Sequence, residues 1–396
     1  MQGRGRQRCP IVDRALLWTA LLASVPPSPG VHPVSITYYG LGPDKQLNEI
    51  VVAGSHDAGI TSGGSAAKTQ AMDIGGQAGV GVRVFDLRIA AAVTKSNWRG
   101  KAQEVELKAY HGGLSKTKDS TVTLTKFHPG TKATLTSAKA KPGTAFGEGL
   151  ADILTQARAF VTSDTGKTEF LILKFDKCQN YGLIAQACRE LLGDRIYTGG
   201  GNLNTRTLRE LAGRVITLFP TAELPNLGGG PDAGMLAFKN LSEKGASYDP
   251  KFDGLQYYGK GGTQWWKEGD KTKQNIKKQH KIMSGALAMK NPQVVGMIYW
   301  TTTGSVASIK SRNEKMWKDA GVAKFKQLWS GGVGEYIKLS LPTPIPKDSA
   351  ALGPTRKRFM PNIVMIDFAD AVKCKVIRDL NAVPPASFAS FEDLDF

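Results

Sequence analysis

The residues of this chain best suited to chemistry are two histidines, an arginine and several carboxylates, most of them placed after apolar runs. His56 and Asp57 come just after the apolar residues 50–53, separated from them by Gly54 and Ser55, Arg88 closes a β-branched run, and His111 comes soon after. Such groups could cleave a phosphodiester without a metal. One imidazole would deprotonate a neighbouring hydroxyl, the other would protonate the leaving oxygen, and the guanidinium would stabilise the non-bridging oxygens.

Each histidine also has an ordinary structural interpretation. A single histidine at a strand end is usually a hydrogen-bonded core residue, and a His-Gly-Gly sequence such as that at His111 can be a simple turn. The chain has only five histidines, and the others, His32, His128 and His280, lie beside a proline or in a lysine-rich run. Because imidazole titrates near neutrality, we take His56 and His111 as the candidate acid–base pair.

The run that ends at Arg88 separates its charged side chains by face. Alternation with a period of two places Asp86 and Arg88 on one face of the strand and Arg83 on the other. For each of these three residues, the alternative to a functional role is an ordinary structural ion pair. Arg88 best fits an arginine that points into a barrel mouth, where its planar fork would match phosphate oxygens.

Short apolar runs alternate with helical patterns along the chain. Strands are predicted at residues 50–53, 81–92, 170–175, 215–219, 294–300 and 363–366, and helices at 150–161 and 183–192. This alternation predicts an α/β fold with a parallel sheet covered on both faces. His56, Arg88 and Asp367 lie at strand C-terminal ends, where a parallel barrel collects its active site. An open doubly wound sheet is disfavoured, since no dinucleotide or P-loop motif is present.

Two segments interrupt the pattern within what we expect to be a single domain with loop insertions. Residues 93–148 are rich in Lys, Thr, Ser and Gly and are predicted to form a long loop or small hairpin. Residues 340–360 are proline-rich and are predicted to be a surface excursion. The sequence leaves open whether Cys178 and Cys188 form a bridge or are buried free thiols.

The bulk composition favours an anionic partner. The 396 residues carry a formal net charge of +18, yet no RNA-recognition, zinc-finger or basic-zipper pattern supports nucleic acid. Residues 1–30 combine a basic start with an apolar stretch of secretory size, which predicts a signal peptide and secretion; a misassigned start or a disordered arm is the alternative. No later segment reaches transmembrane length, so membrane contact should be peripheral.

Taken together, the motifs resemble the X region of phosphatidylinositol-specific phospholipase C, most closely its bacterial, metal-independent branch. The resemblance rests on Gly54-Ser55-His56-Asp57, on residues 81–89 ending Phe-Asp-Leu-Arg-Ile, and on Tyr110-His111-Gly112. Weaker matches follow in order and extend over residues 36–375, so we expect the barrel domain to occupy residues 36–396. The family fold that the resemblance implies is an irregular TIM-type (β/α) barrel.

The resemblance implies a role for each matching residue. His56 would be the general base that activates the inositol 2-hydroxyl, oriented by Asp367. His111 would be the general acid for the diacylglycerol oxygen, assisted by Asp57. Arg88 would bind and neutralise the phosphate, and internal attack would give diacylglycerol and inositol 1,2-cyclic phosphate.

The resemblance also bears on cofactors. Eukaryotic members of the superfamily place calcium in the barrel mouth, using acids near the position that Arg88 occupies here. A guanidinium at this place would supply the positive charge and repel a cation, so no cofactor and no calcium requirement is expected. Bacterial members tend to have Lys where Asp176 stands, with Lys174 two residues earlier on the same face; Asp176 could restore a metal ligand or bind inositol hydroxyls.

The substrate-binding candidates are Lys174, Asp176, Arg214 and Tyr258. The last belongs to an aromatic group with Tyr257, Trp265 and Trp266, which would form an inositol-stacking wall, a lipid-contacting rim or plain core. The expected partner is phosphatidylinositol at a membrane surface, and a monomer is expected. Two alternatives remain: a metal-dependent glycerophosphodiester or sphingolipid phosphodiesterase on the same barrel, and a catalytically silent protein that binds lipid headgroups.

Overall fold

The computed structural model describes residues 36–97, 103–116, 118–142, 144–259, 261, 274–275, 278–279, 293–302, 308–317 and 361–382. Its strands are β1 Val52–Ser55, β2 Val82–Leu87, β3 Ile89–Ser96, β4 Gln103–His111, β5 Leu114–Lys116, β6 Ser120–Leu124, β7 Lys132–Leu135, β8 Ser137–Ala140, β9 Ala145–Gly149, β10 Phe170–Phe175, β11 Arg214–Pro220, β12 Met235–Asn240, β13 Gly254–Tyr258, β14 Val295–Trp300 and β15 Ile363–Ile366. Its helices are α1 Ile74–Gly79, α2 Leu150–Thr162, α3 Tyr181–Leu192, α4 Leu208–Leu211, α5 Ile309–Trp317 and α6 Ala371–Asp379.

Eight of these strands close into a parallel barrel, in the order β1-β15-β14-β13-β12-β11-β10-β2. Strands β10 and β15 are buried along their whole length, as expected for strands covered on both faces. The predicted α/β barrel is therefore confirmed. It is irregular, because residues 241–253, which connect β12 to β13, form turns and coil rather than a helix.

Two barrel strands, β12 and β13, were missed by the sequence analysis. Both are short and carry polar residues (Lys239 and Asn240 in β12, Gln256 in β13), so neither forms a continuous apolar run. The first strand also lies two residues later than predicted, at Val52–Ser55. These differences change no candidate residue, since His56 still directly follows its strand.

The predicted strand over residues 81–92 is two strands in two different sheets. The chain leaves the barrel after β2, passes through Arg88, and continues as β3 in a second sheet. The apolar run is unbroken from one sheet into the next, so hydrophobicity alone does not mark the crossing.

The prediction of a loop or small hairpin over residues 93–148 is wrong. This segment builds the second sheet with β3, in the order β5-β8-β3-β4-β6-β7, and β9 pairs with β4. Strand β4 shows the signal that was missed: Val105, Leu107 and Ala109 are buried, and the residues between them are not. The insertion is thus an ordered sheet attached to the barrel at Arg88.

A buried ion pair between Arg83 and Glu169 lies on the outer face of β2. Arg83 donates from Nε to Glu169 at 2.8 Å, and the same carboxylate accepts from the main-chain nitrogens of Tyr38 and Tyr39. Arg83 therefore lies on the face opposite Asp86 and Arg88, as the alternation predicts. Its role is structural, since it fastens the first described residues to the barrel.

The thiol prediction resolves in favour of free cysteines. Cys178, Cys188 and Cys374 are all unpaired among the described residues, and burial raises the pKa of Cys374 to about 12. The predicted signal peptide, the proline-rich excursion at 340–360 and the pair Trp265 and Trp266 lie outside the described residues. Within the described part of the chain, no helix is long and apolar enough to cross a bilayer.

Candidate active site

Three neighbouring barrel strands bring the candidate residues to one edge. His56 and Asp57 follow β1, Asp367 follows β15, and Arg88 follows β2; β1 pairs with both of the other strands. Register places Ser55 beside Ile366, so the next residues on each strand, His56 and Asp367, lie side by side. Because the strands are parallel, their carboxyl ends meet at the same mouth of the barrel.

His56 and Asp367 form a buried pair. The His56 Nδ1 and the Asp367 Oδ1 are 3.0 Å apart, and Asp367 is 0% exposed. A carboxylate only accepts hydrogen bonds, so the proton between them lies on Nδ1 and the neutral ring keeps its lone pair on Nε2. The second carboxylate oxygen of Asp367 accepts from Asn313 of α5 at 2.9 Å.

The charges around His56 favour its protonated form. Burial by itself would lower the pKa of His56, but the carboxylates of Asp57 and Asp367, with the hydrogen bond to Asp367, raise it to about 9. Burial conversely raises the pKa of Asp367, against the lowering effect of His56. A base with this pKa accepts a proton readily, but only its neutral fraction can act.

Asp57 lies between both imidazoles and the guanidinium. Its Oδ2 is 2.6 Å from His111 Nδ1 and 3.6 Å from His56 Nε2, and its Oδ1 is 3.1 Å from Arg88 Nε. Burial opposes its ionisation, yet the charges of His56 and Arg88 hold the pKa of Asp57 well below its usual range. Asp57 also has a positive φ of 44°, a strained conformation typical of functional positions.

His111 comes to the barrel mouth on the second sheet. It is the last residue of β4, and it pairs with Ala145 of β9. The main-chain nitrogen of Tyr110 donates to the carbonyl of Arg88 at 2.9 Å, which joins β4 to the point where the chain leaves the barrel. The insertion therefore carries one of the two imidazoles and is part of the site.

A second charged cluster lies deeper on β2 and β10. The Lys174 ammonium is 3.0 Å from Asp86 Oδ1 and 3.0 Å from Asp176 Oδ2, and it lies over the ring of Phe238. Burial would lower the pKa of Lys174, but Asp86 and the neighbouring groups raise it well above its ordinary value. The Lys174 side chain is 1% exposed and pairs with both carboxylates, whereas the Asp176 side chain is 32% exposed.

The tyrosine of β13 that faces the barrel interior is Tyr257, one residue before the predicted Tyr258. The Tyr257 ring lies 6.4 Å from the ring of Phe238, which the Lys174 ammonium covers at 4.4 Å, and burial raises the pKa of Tyr257 to about 12. Tyr257 thus faces the barrel interior, and alternation places Tyr258 on the opposite face of β13.

Tyr299 of β14 is a further aromatic residue of the site, and the sequence analysis missed it. It is buried with its ring edge-on to His56, at a centroid distance of 5.7 Å. Its only sequence signal is its place near the C-terminal end of an apolar run.

The prediction that Arg214 contacts substrate must be corrected. Arg214 is the first residue of β11, so it lies at the amino edge of a barrel whose candidate site is at the carboxyl edge. It is exposed, and its guanidinium donates to the carbonyl of Asp194 at 2.6 Å. An arginine that precedes an apolar run lies at the start of a strand. It therefore lies at the amino edge of a parallel barrel, away from the carboxyl edge.

One group of residues has the composition of a metal site. Ligand atoms of His56, Asp57 and Asp86 lie within 4.8 Å of one another. The chemistry of this set fits a divalent cation poorly, because Arg88 already pairs with Asp57 and Lys174 with Asp86. A cation there would have to displace or repel both of these charges.

Comparison with known proteins places this architecture among solved structures. No protein-family model and no curated protein matches the chain. The structure is similar to phosphatidylinositol-specific phospholipase C from Listeria monocytogenes, at 15% identity and a TM-score of 0.48, covering 86% of this chain and 95% of that one. It is also similar to the same enzyme from Staphylococcus aureus, at 16% identity and a TM-score of 0.46, covering 86% and 95%. At these values the likeness concerns the fold, and function has to be argued from the side chains.

A carboxyl group behind the Asp57 turn gives a prediction about stability. Glu148 of β9 donates its main-chain N–H to the carbonyl of Gly59, and burial, followed by the charge of Asp73, raises its side-chain pKa to about 7. The folded state therefore binds a proton more tightly than the unfolded state between pH 4.5 and about 7, and the free energy of unfolding falls as pH rises through that window.

We expect Glu148→Gln to remove this loss. The free energy of unfolding should be measured in urea at both limits of that pH window. The difference between the variant and the unmodified protein should shift by about 1–2 kcal/mol in favour of the variant from the lower limit to the upper, after allowance for partial solvent screening. The exposed Glu314→Gln is the matched control; it leaves Glu148 in place and should keep the pH dependence of the unmodified protein. An equal pH dependence in the unmodified protein and Glu148→Gln would contradict the assignment.

Proposed function

We propose that this protein is a phosphodiesterase that cleaves phosphatidylinositol, or a glycosylated form of it, to diacylglycerol and inositol 1,2-cyclic phosphate. The observation that carries the proposal is the arrangement around Asp57, where two imidazoles and one guanidinium converge on a single buried carboxylate. Cleavage of a phosphodiester by a neighbouring hydroxyl needs a base, an acid and a fixed positive charge, and these three groups supply them.

The proposed reaction is an intramolecular phosphoryl transfer, from the glycerol oxygen to the 2-oxygen of the inositol ring. His56 Nε2 takes the proton of the inositol 2-hydroxyl, and that oxygen attacks phosphorus. The bond from phosphorus to the glycerol oxygen breaks, and His111 gives that oxygen a proton from the nitrogen not bound to Asp57. Arg88 neutralises the non-bridging oxygens as charge develops on them.

The second cluster supports recognition of a polyhydroxylated ring. Asp176 accepts a hydrogen bond from Lys174 at 3.0 Å, and its side chain remains 32% exposed. A carboxylate held in this way can accept hydrogen bonds from ring hydroxyls, and Tyr257 and Tyr299 provide aromatic surface nearby. We propose Asp176 as the inositol contact and Lys174 as the group that holds it.

The metal-dependent alternative is favoured by one observation, the closeness of His56, Asp57 and Asp86. Against it stand the cations already paired with both carboxylates. We therefore propose that the reaction needs no metal, with Arg88 supplying the positive charge that an ion would otherwise provide.

The proposed partner is an anionic lipid surface that the protein meets from outside the bilayer. His111 protonates the leaving glycerol, so the membrane must lie on the His111 side of the phosphate. Two exposed lysines belong to the same sheet region: Lys139 lies in β8, and the main-chain nitrogen of Lys141 donates to the carbonyl of Gly113, two residues after His111, at 3.2 Å. Secretion and a monomeric state complete the proposal.

Phosphorus NMR of products formed from phosphatidylinositol tests substrate, product and metal together. We expect a cyclic phosphodiester resonance to appear at the same rate with and without chelator. A phosphomonoester as the first product would contradict internal attack. Loss of all turnover in chelator would favour the metal-dependent alternative, and binding to phosphatidylinositol vesicles without any product would favour a silent headgroup-binding protein.

A further inference from the structure

Thr69 and Gln70 lie between the two strand ends that carry the His56–Asp367 pair. Both side chains are completely buried, and every hydrogen bond they make goes to the main chain. They belong to the segment between β1 and α1 and offer no group to a substrate. Their contacts nevertheless converge on the backbone of the residues proposed to act.

The Gln70 amide ties the end of β1 to the end of β15. Its Nε2 donates to the carbonyl of His56 at 3.0 Å and to that of Ile366 at 3.2 Å, and its Oε1 accepts from the main-chain nitrogen of Ala369 at 3.0 Å. A side-chain amide has two donor hydrogens and one acceptor oxygen, so all three are used. The last ladder bond between these strands, from His56 N to Ile366 O, lies directly beside it.

Thr69 holds the two strained turns that follow these strands. Its hydroxyl donates to the carbonyl of Asp57 at 2.8 Å, and its carbonyl accepts from the nitrogen of Phe368 at 2.7 Å. Asp57 and Phe368 both have positive φ, at 44° and 49°. Residues with side chains keep this conformation only where the surroundings impose it.

We infer that Thr69 and Gln70 are positioning residues that hold His56 and Asp367 at the separation where imidazole and carboxylate form their hydrogen bond. Two strand ends that have passed their last ladder bond would otherwise be free to separate, each beginning a turn of its own. The inference deepens the proposed function, on which it rests for the role of His56 as base. The hydrogen bond itself exists with or without turnover.

Replacing Gln70 by methionine keeps the length of the side chain and removes its hydrogen bonds. We expect kcat of Gln70→Met to fall by ~10²-fold with little change in KM, because a small displacement of a reacting group has effects of that size. The midpoint of the His56 titration should move about one unit toward lower pH, since the Asp367 interaction that favours the charged ring is weakened. NMR of nitrogen-labelled histidine gives that midpoint directly.

Gln256→Met is the matched control. Gln256 is also completely buried, and its amide bonds both main-chain groups of Asp249, away from the His56–Asp367 pair. It should lower thermal stability without moving the His56 titration. Thr69→Val should shift the midpoint of the His56 titration in the same direction as Gln70→Met. Thr69→Ser keeps the hydroxyl and should leave the midpoint as in the unmodified protein. The test can therefore still be made if one variant fails to fold.

The titration decides the inference independently of the assay. If the His56 midpoint moves equally in Gln70→Met and Gln256→Met, or in neither, the positioning role is wrong even where the protein cleaves phosphatidylinositol. If the midpoint moves only in Gln70→Met while the unmodified protein gives no product, the proposed function fails and the positioning of His56 stands.

Discussion

Replacing His111 with alanine is expected to slow cleavage of phosphatidylinositol by ~10²–10⁴-fold, the usual contribution of a positioned acid or base. The same variant should cleave an inositol phosphodiester with a nitrophenol leaving group at a rate much closer to that of the unmodified protein. Nitrophenolate leaves without a proton, whereas a glycerol alkoxide needs one. Comparison of kcat/KM for the two substrates measures the acid's contribution directly.

His56→Ala should lose activity on both substrates alike, because the attacking hydroxyl must be deprotonated whatever group leaves. His128→Ala is the control, since His128 is a partly exposed histidine paired with Glu190 on the surface. If the leaving group rescues His56→Ala and not His111→Ala, the two roles are exchanged. Near-normal rates for both variants on phosphatidylinositol would remove these histidines from the mechanism.

The sequence was most informative where a chemical group follows an unbroken apolar run. Residues 170–175 and 363–366 coincide with β10 and β15, and His56 and Asp367 lie at the ends of buried parallel strands. The parallel arrangement then places them together, since carboxyl ends share one edge. The partnership of His56 with Asp367, across most of the chain, followed from the resemblance rather than from spacing.

The sequence was least informative where geometry depends on how sheets meet. His111 belongs to a strand of the inserted sheet, and that sheet begins where the chain leaves the barrel at Arg88. Alternating Lys and Thr residues in this region concealed the strands behind a loop-like composition. The error at Tyr258 has the same origin, because one residue of register decides which side chain faces the interior.

Side-chain amides that support a charged group leave little signal in residue type. The Gln70 amide forms its hydrogen bonds with backbone groups, and the Asn313 amide donates to the Asp367 carboxylate from a helix distant in sequence. An isolated Gln or Asn in the sequence resembles any polar loop or helix residue. The groups that bear charge are thus easier to predict than the groups that hold them in place.

Arg88 gives the second large effect. Replacing it with alanine should lower kcat/KM by ~10³-fold, the upper range for loss of one donor that stabilises developing charge. Arg88→Lys should recover only part of this, because an ammonium lacks the planar fork that bonds two phosphate oxygens. Arg214→Ala is the matched control: Arg214 is an exposed arginine at the opposite edge of the barrel and should be neutral.

Arg88→Asp separates charge from geometry. An aspartate there would add a carboxylate to the set of His56, Asp57 and Asp86, and it would remove the guanidinium that now pairs with Asp57. We expect this variant to be inactive in chelator and to regain measurable activity with calcium, whereas Arg88→Ala should gain much less. Calcium would then supply the positive charge that the guanidinium supplies in the unmodified protein, so such a rescue would support the action of Arg88 on the phosphate. Full activity of either variant in chelator would show that the positive charge at residue 88 does not stabilise the transition state, and equal responses of the two variants to calcium would show that an aspartate there completes no calcium site.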